Sequence, residues 1–314
     1  MLRLYKPIAA LLVLAVTGCA GTRCYIPPEG RPGRDVIHVD EVKVFEQDEY
    51  RCGPAAMASM LAFSGVEIRP RHLEQTVYDP ESRGSLQVSL VAAARRNSRV
   101  AYEIKGKDSL LKNLSAGYPV LVLLNKGFSW WPVYHYSVVT GFDSKEGFFI
   151  IVGGAACEEM VSGSLFMRMW RRADFWGLLV LAPDDIPPGA DQDKWIRAVY
   201  GLERTGAYEP ALSGYKAALE KWPDAAGAMM GKANTLYAMG KAEEAAEVLE
   251  QAGKIYPGSG PVLNNLAHVK LELGELEKAF DAAVRAVKTG GANEETYRQT
   301  LQSIKKAMDE GSGR

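Results

Sequence analysis

The sequence predicts two folded units in tandem, an α+β domain over residues 36–183 and an all-α domain over residues 192–314. Three observations carry this. Between Val36 and Pro183 helical patterns come first and apolar strand-like runs follow, the order of an α+β fold. Pro187, Pro188 and Gly189 then interrupt the chain, so residues 184–191 are expected to be a linker. Beyond them the composition turns to Ala, Glu, Lys and Leu, and small residues return at a fixed interval.

Arg3 and Lys6 precede the apolar run Ile8 to Val16, which is short for a bilayer span, and Val16-Thr17-Gly18-Cys19 closes it with small residues. This pattern resembles a bacterial lipobox. The resemblance implies removal of residues 1–18 as a signal peptide, lipidation of Cys19, and a membrane-anchored, periplasm-facing place in the cell envelope. Ala20 stands where an aspartate would retain such a lipoprotein at the inner membrane, which points to the outer membrane. Residues 19–35, with Pro27, Pro28, Gly30, Pro32 and Gly33, are expected to form an extended tether.

Val36 to Phe45 alternates apolar and polar residues as a strand does, with Val42 and Val44 on one face. Cys52 follows, then Gly53 and Pro54, and proline is well tolerated in a first helical turn because its missing N–H would have had no partner there. Ala55 to Ala62 are mostly strong helix formers, so Cys52 is expected at a helix N-terminus, where the dipole favours a thiolate. Helices are also expected over Pro70 to Val77, Ser85 to Asn97 and Asp108 to Ala116. Pro119 to Leu124 is a continuous apolar run suited to a buried strand. His135 to Phe142, Gly147 to Val152 and Leu178 to Ala182 complete the strands, and Trp130 with Trp131 lies in the loop just before His135. Adjacent tryptophans there suit either the wall of a substrate groove or ordinary aromatic packing.

In the second unit Gly206, Gly240 and Gly274 recur every 34 residues, as do Ala211, Ala245 and Ala279, and again Ala218, Ala252 and Ala286. Pro223 and Pro257 keep the same step. A 34-residue period with glycine at the turn and alanine where helices cross resembles tetratricopeptide repeats, three of them over residues 192–291. Small residues let paired helices approach, while Trp195, Leu202 and Tyr215 fill the spaces between them. Residues 292–314 are expected to supply a polar capping helix and tail.

A hydrophobic content of 47% with 24% charged residues is ordinary for globular protein, and a net charge of −1 offers no basic surplus for nucleic acid. The four histidines, at 38, 72, 135 and 268, are scattered and show no metal-ligand spacing with the cysteines, so neither metal nor cofactor is expected. Cys24 and Cys157 are left over once Cys19 and Cys52 have roles; an exported protein oxidises such pairs, yet Cys24 lies in the tether and is equally able to stay free.

Gln47, the box Cys52-Gly53-Pro54-Ala55, and His135-Tyr136-Ser137-Val138-Val139 with Gly141 and Asp143 together resemble the papain-like cysteine peptidases that process double-glycine leaders, in a stand-alone form. The resemblance spans Val36 to Pro183. It implies an α+β papain-like peptidase domain, followed here by the all-α tetratricopeptide-repeat domain, with Cys52 as nucleophile, His135 as base and Gln47 as oxyanion donor. A peptide or protein would then be the substrate, and the repeats would hold a protein or peptide partner. The sequence departs from the family in two places. Gln47 stands one residue closer to the cysteine than in transporter-linked members. The strand after the histidine reads Phe-Phe-Ile-Ile-Val-Gly-Gly, with Gly153 or Gly154 where the family places an aspartate, so the imidazole is expected either to be oriented by a backbone carbonyl or not to be well oriented at all. Alternatively the cleft binds peptide with weak or no turnover, as a module that scaffolds an envelope assembly.

Overall fold

A computed structural model describes residues 24–26, 35–45, 51–155 and 157–312. Gln47, Cys19 and the signal-like segment lie outside the described residues. The first unit runs β1 (Val36–His38), α1 (Cys52–Phe63), α2 (Pro70–Val77), β2 (Tyr78–Asp79), β3 (Gly84–Ser85), α3 (Gln87–Arg96), β4 (Val100–Lys105), α4 (Lys107–Ser115), β5 (Val120–Asn125), β6 (Tyr134–Asp143), β7 (Phe148–Val152), β8 (Glu159–Ser162), α5 (Gly163–Arg171) and β9 (Trp176–Leu181).

The main sheet has the order β4-β9-β5-β6-β7-β8, with β1 pairing β6 beyond the end of β5, and every neighbouring pair is antiparallel. Helices cover both faces. On one face Met57, Met60, Leu61, Leu73 and Leu90 of α1 to α3 pack on Leu121, Tyr136, Val138 and Leu178. On the other, Leu110, Leu114, Phe166 and Trp170 of α4 and α5 pack on Val122, Leu124, Val139 and Leu179. Strand β5 therefore meets side chains on both sides and is buried along its whole length, which is why it reads as one unbroken apolar run.

The expected strand over Val36 to Phe45 pairs only at Val36–His38; Val42 to Phe45 run on without strand pairing. Their alternation arises because Val42, Val44 and Phe45 pack against the cores as a covering segment. Strand β4 departs from the helices-then-strands order: it lies between α3 and α4 in the chain and forms the sheet edge against β9.

Seven helices follow: α6 (Gln192–Glu203), α7 (Tyr208–Lys221), α8 (Ala226–Ala238), α9 (Ala242–Ile255), α10 (Gly260–Glu272), α11 (Leu276–Thr289) and α12 (Glu294–Ser312). The repeat logic is visible in burial. Ala211, Ala245, Ala279, Ala218, Ala252 and Ala286 are all buried at the helix crossings, and Trp195, Leu202 and Tyr215 are enclosed. Gly206, Gly240 and Gly274 turn the chain between paired helices at φ of 76°, 76° and 73°, a region that penalises a Cβ.

The segment between β9 and α6 has no regular structure but is tied down. The Tyr118 hydroxyl donates to Asp185 at 2.5 Å, and the Asp191 amide donates to the Tyr102 hydroxyl at 3.0 Å. Trp195, Val199 and Leu202 of α6 belong to the same apolar cluster as Tyr102 and Ile104 of β4, so the first repeat is packed onto the sheet edge. A hydrophobic cluster shared in this way couples the two units far more firmly than a flexible linker does.

Candidate active site

Cys52 is the first residue of α1, and Gly53 to Leu61 behind it are all buried, so the helix is fixed from its first turn. Gly53 allows a close neighbour: a Cβ there would lie 2.2 Å from the Ser85 hydroxyl of β3. The backbone amides of Tyr136, Gly53 and Cys52 itself lie near the Cys52 sulfur and favour its thiolate. Tyr136 is the neighbour of His135 on β6, so the structure brings the thiol to the strand that carries the histidine.

Burial nevertheless pushes the Cys52 thiol above its ordinary value and outweighs those amides and the positive charge of Lys126. The thiolate expected from the helix N-terminus is therefore not the resting form, because desolvation of the charge exceeds what the dipole and the amides return.

His135 is half-buried as a residue, yet desolvation is the largest influence on its imidazole. Together with Lys126 it brings the imidazole down to about 4, against the opposing effect of the Gly153 carbonyl. That carbonyl lies 2.5 Å from Nε2. A carbonyl only accepts, so Nε2 carries the proton and Nδ1 keeps a free lone pair, the tautomer a general base requires. Of the two arrangements the sequence left open, the structure shows the one with a backbone carbonyl at the imidazole. Asp143 closes β6 and accepts from the amides of Lys145 and Glu146 in the following turn, away from the imidazole. Among the described residues no hydrogen bond joins the thiol to the imidazole in this state; such bonds often tighten only when substrate is bound.

The loop that supplies the carbonyl is held on two sides. Glu159 accepts from the Ala155 amide at 3.2 Å. Cys157 forms a disulfide with Cys24, a pairing the sequence left open. Next to it the Tyr25 amide donates to the Glu158 carbonyl, while the Glu158 carboxylate and Asp40 hold the two nitrogens of His38 at 2.9 Å each. Those two carboxylates raise the His38 imidazole, Glu158 most strongly, against the cost of burial.

Lys126 is a site residue that sequence reasoning missed. It follows β5 at the start of the hairpin, one position past the Asn125–Tyr134 pair and facing Val133, and its charge acts on both Cys52 and His135. Burial holds its own ammonium below the usual range, with Glu159 and Cys52 opposing. Nothing in an Asn-Lys-Gly turn singles it out. Phe128 stacks on Trp130 at 5.6 Å in the same hairpin, and Trp130 and Trp131 are strongly exposed, so core packing does not account for this pair. Of the basic trio Arg168, Arg171 and Arg172, the last donates to the Gly127 carbonyl at 2.5 Å and braces that hairpin.

Two family descriptions match the chain: Peptidase_C39 like family over residues 39–157, and Psidin, N-terminal TPR repeats region, over residues 193–309. No curated protein matches. Among solved structures, the peptidase domain of Streptococcus ComA, a bi-functional ABC transporter involved in a quorum sensing pathway, is 23% identical over 45% of this chain and 98% of its own, with a TM-score of 0.38. The Sgt2 TPR domain from Aspergillus fumigatus is 21% identical over 40% of this chain and 85% of its own, with a TM-score of 0.38. The first TPR of Spaghetti (RPAP3), bound to an HSP90 peptide, is 16% identical over 38% and 93%, with a TM-score of 0.35. The chain thus carries a C39-peptidase-like α+β domain followed by a helical tetratricopeptide-like region.

Proposed function

We propose that the protein is an exported, lipid-anchored cysteine peptidase whose repeats bind a protein or peptide partner. The observation that carries this is the His135 arrangement, with Nε2–H on the Gly153 carbonyl and Nδ1 free, on the strand whose next residue, Tyr136, has its amide near the Cys52 sulfur. In this mechanism the resting pair is neutral. Cys52 attacks the scissile carbonyl as its proton passes to His135 Nδ1, and the oxyanion is held by the Cys52 backbone N–H and Gln47. The tetrahedral intermediate collapses as His135 gives the proton to the leaving amine. Water, deprotonated by the same nitrogen, then releases the acid and restores the thiol.

The location is part of the same proposal. A disulfide is at home in an oxidising compartment, which supports export. Cys24 stands five positions after Cys19, a reach of at most about 18 Å, so acylation of Cys19 would hold the loop bearing Gly153 close to the membrane surface.

A second interpretation has its own support. With the thiol raised, the imidazole lowered and no hydrogen bond between them, the cleft suits peptide binding with weak turnover. Alkylation by iodoacetamide, with the adduct located by peptide mass spectrometry, decides between them. The peptidase proposal expects Cys52 to be modified at a rate that falls at least tenfold in His135→Ala; a rate independent of His135 favours the binding module.

A further inference from the structure

Beside the Cys52 site runs a groove of about 860 Å³, bordered by Tyr136 and Ser85 at the thiol end and by Arg95, Glu103, Lys105 and Trp176 at the other. Those same four residues line a second cavity of about 380 Å³, to which α6 of the repeat region adds Lys194 and Arg197. The two spaces share these four wall residues, so the groove that passes beside the Cys52 site reaches the junction between the α+β domain and the first repeat.

The charge of that junction is one-sided. Arg95, Lys105, Lys194 and Arg197 face a single carboxylate, Glu103, which is engaged by the Trp176 indole N–H at 2.8 Å. Lys105 is paired with Asp174 on the groove side, whereas Arg95, Lys194 and Arg197 have no ion-pair partner among the described residues. Arg95 is built into the place. It lies in the last turn of α3, its Nε is buried without a hydrogen-bond partner, and a Cβ on Gly201 of α6 would sit 2.4 to 2.6 Å from its guanidinium. Glycine at 201 is therefore what lets the guanidinium lie against α6. The floor is apolar, with Trp176, Ile104 and Ala101 all buried, and such walls strengthen the field of the cations at the mouth.

We propose that this junction is an anion-accepting subsite that receives the acidic side chains of a peptide lying in the groove beside Cys52. The planar guanidinium of Arg95 matches a carboxylate, while Lys194 and Arg197 supply charge from the repeat side. The repeat region thus completes the groove as well as offering its own surface to a partner. The assignment rests on the peptidase reading only in treating the groove as the place where substrate lies.

Two measurements on the full chain test it. In the first, the anisotropy of fluorescein-labelled hexaglutamate and hexaglutamine is followed at low and high salt. The glutamate peptide is expected to bind about tenfold tighter at low salt, with the preference shrinking as salt rises. Lys194 and Arg197 are exposed on α6, so K194E/R197E should keep the wild-type melting temperature while losing that preference. In the second, chloroacetyl peptides carrying four glutamates or four glutamines are compared as alkylators of Cys52. The acidic peptide should react about tenfold faster with wild type and no faster with K194E/R197E. Equal binding of both hexapeptides, or a glutamate preference that survives in K194E/R197E, overturns the subsite. If neither chloroacetyl peptide modifies Cys52 while the hexaglutamate preference stands and depends on Lys194 and Arg197, the subsite holds and the peptidase reading fails.

Discussion

Enclosure of His135 should make the protein lose stability in mild acid, by an amount that follows from its position. The imidazole titrates at about 4 in the fold and at 6.5 when unperturbed, through desolvation first and the Lys126 charge second. The folded state therefore binds fewer protons than the unfolded chain between those values. No cost is felt above about pH 6.5, and the cost grows as pH falls until it levels off below 4. The limit is about 3 kcal/mol, and at pH 5 roughly 2 kcal/mol is already lost. His38 acts with the opposite sign. Its raised value contributes stability that is full below 6.5 and is lost as pH climbs through the folded value. The two are separated by His135→Gln, which keeps a donor for the Gly153 carbonyl but does not titrate. Urea unfolding at pH 7.5 and pH 5.0 should show wild type losing roughly 2 kcal/mol more than His135→Gln across the interval. Equal losses in the two proteins would mean that the imidazole accepts a proton freely, and the enclosure argument would be wrong.

Three further outcomes follow from the same geometry. Removing the disulfide with C24S/C157S opens a loop of sequence separation 133 and should lower the unfolding free energy by up to about 5 kcal/mol on the chain-entropy scale, with an unchanged urea midpoint counting against it. Because burial raises the Cys52 thiol above 9.0, its iodoacetamide rate should still be climbing beyond pH 9, and Lys126→Met, by removing a cation that favours the thiolate, should move the rise to higher pH; a plateau near pH 6, or a downward shift in the variant, contradicts the electrostatics. Gly153→Asp should lower the melting temperature without accelerating Cys52 alkylation, since its Cβ would meet Ile151, Ser137 and Glu159 at 3.2 to 3.4 Å and its carboxylate would enter beside that of Glu159; faster alkylation would show that an aspartate is tolerated there and useful.

Much of this molecule is legible in the sequence because its signals are local and periodic. The fixed spacing of Ala211, Ala245 and Ala279 reports helix crossings directly, since only a small residue fits where two helices touch. The unbroken run Val120–Asn125 reports a strand covered on both faces. Strand β4 is harder to see: Val100 to Lys105 begins as an apolar run and ends as an alternation because Val100, Tyr102 and Ile104 stay covered on one face, while on the other only Ala101 is covered and Glu103 and Lys105 line the groove. The alternation from Val36 to Phe45 extends past β1 because packing against a core produces the same pattern as pairing in a sheet. At the candidate site, the helix start at Cys52 and the strand carrying His135 are legible from their immediate neighbours. Lys126, the Tyr136 amide and the state of the thiol are not, because each depends on which distant segment closes over the sulfur.

The replacement of a carboxylate by the Gly153 carbonyl alters more than the identity of a hydrogen-bond acceptor. An aspartate side chain carries its charge on a strand whose position the sheet fixes, whereas Gly153 lies just past the end of β7, where sheet pairing no longer holds the backbone. Its direction must come from elsewhere, and the nearby constraints are the Cys24–Cys157 disulfide, the Tyr25 amide on the Glu158 carbonyl, and the Asp40–His38–Glu158 bridge. All three reach the loop from the N-terminal segment. A neutral carbonyl also stabilises an imidazolium less than a carboxylate does, which accords with an imidazole held at about 4 and a thiol that stays protonated. An imidazole held by a backbone carbonyl depends on that backbone staying in place, and the Cys24–Cys157 bond is a covalent constraint on the loop just after Gly153.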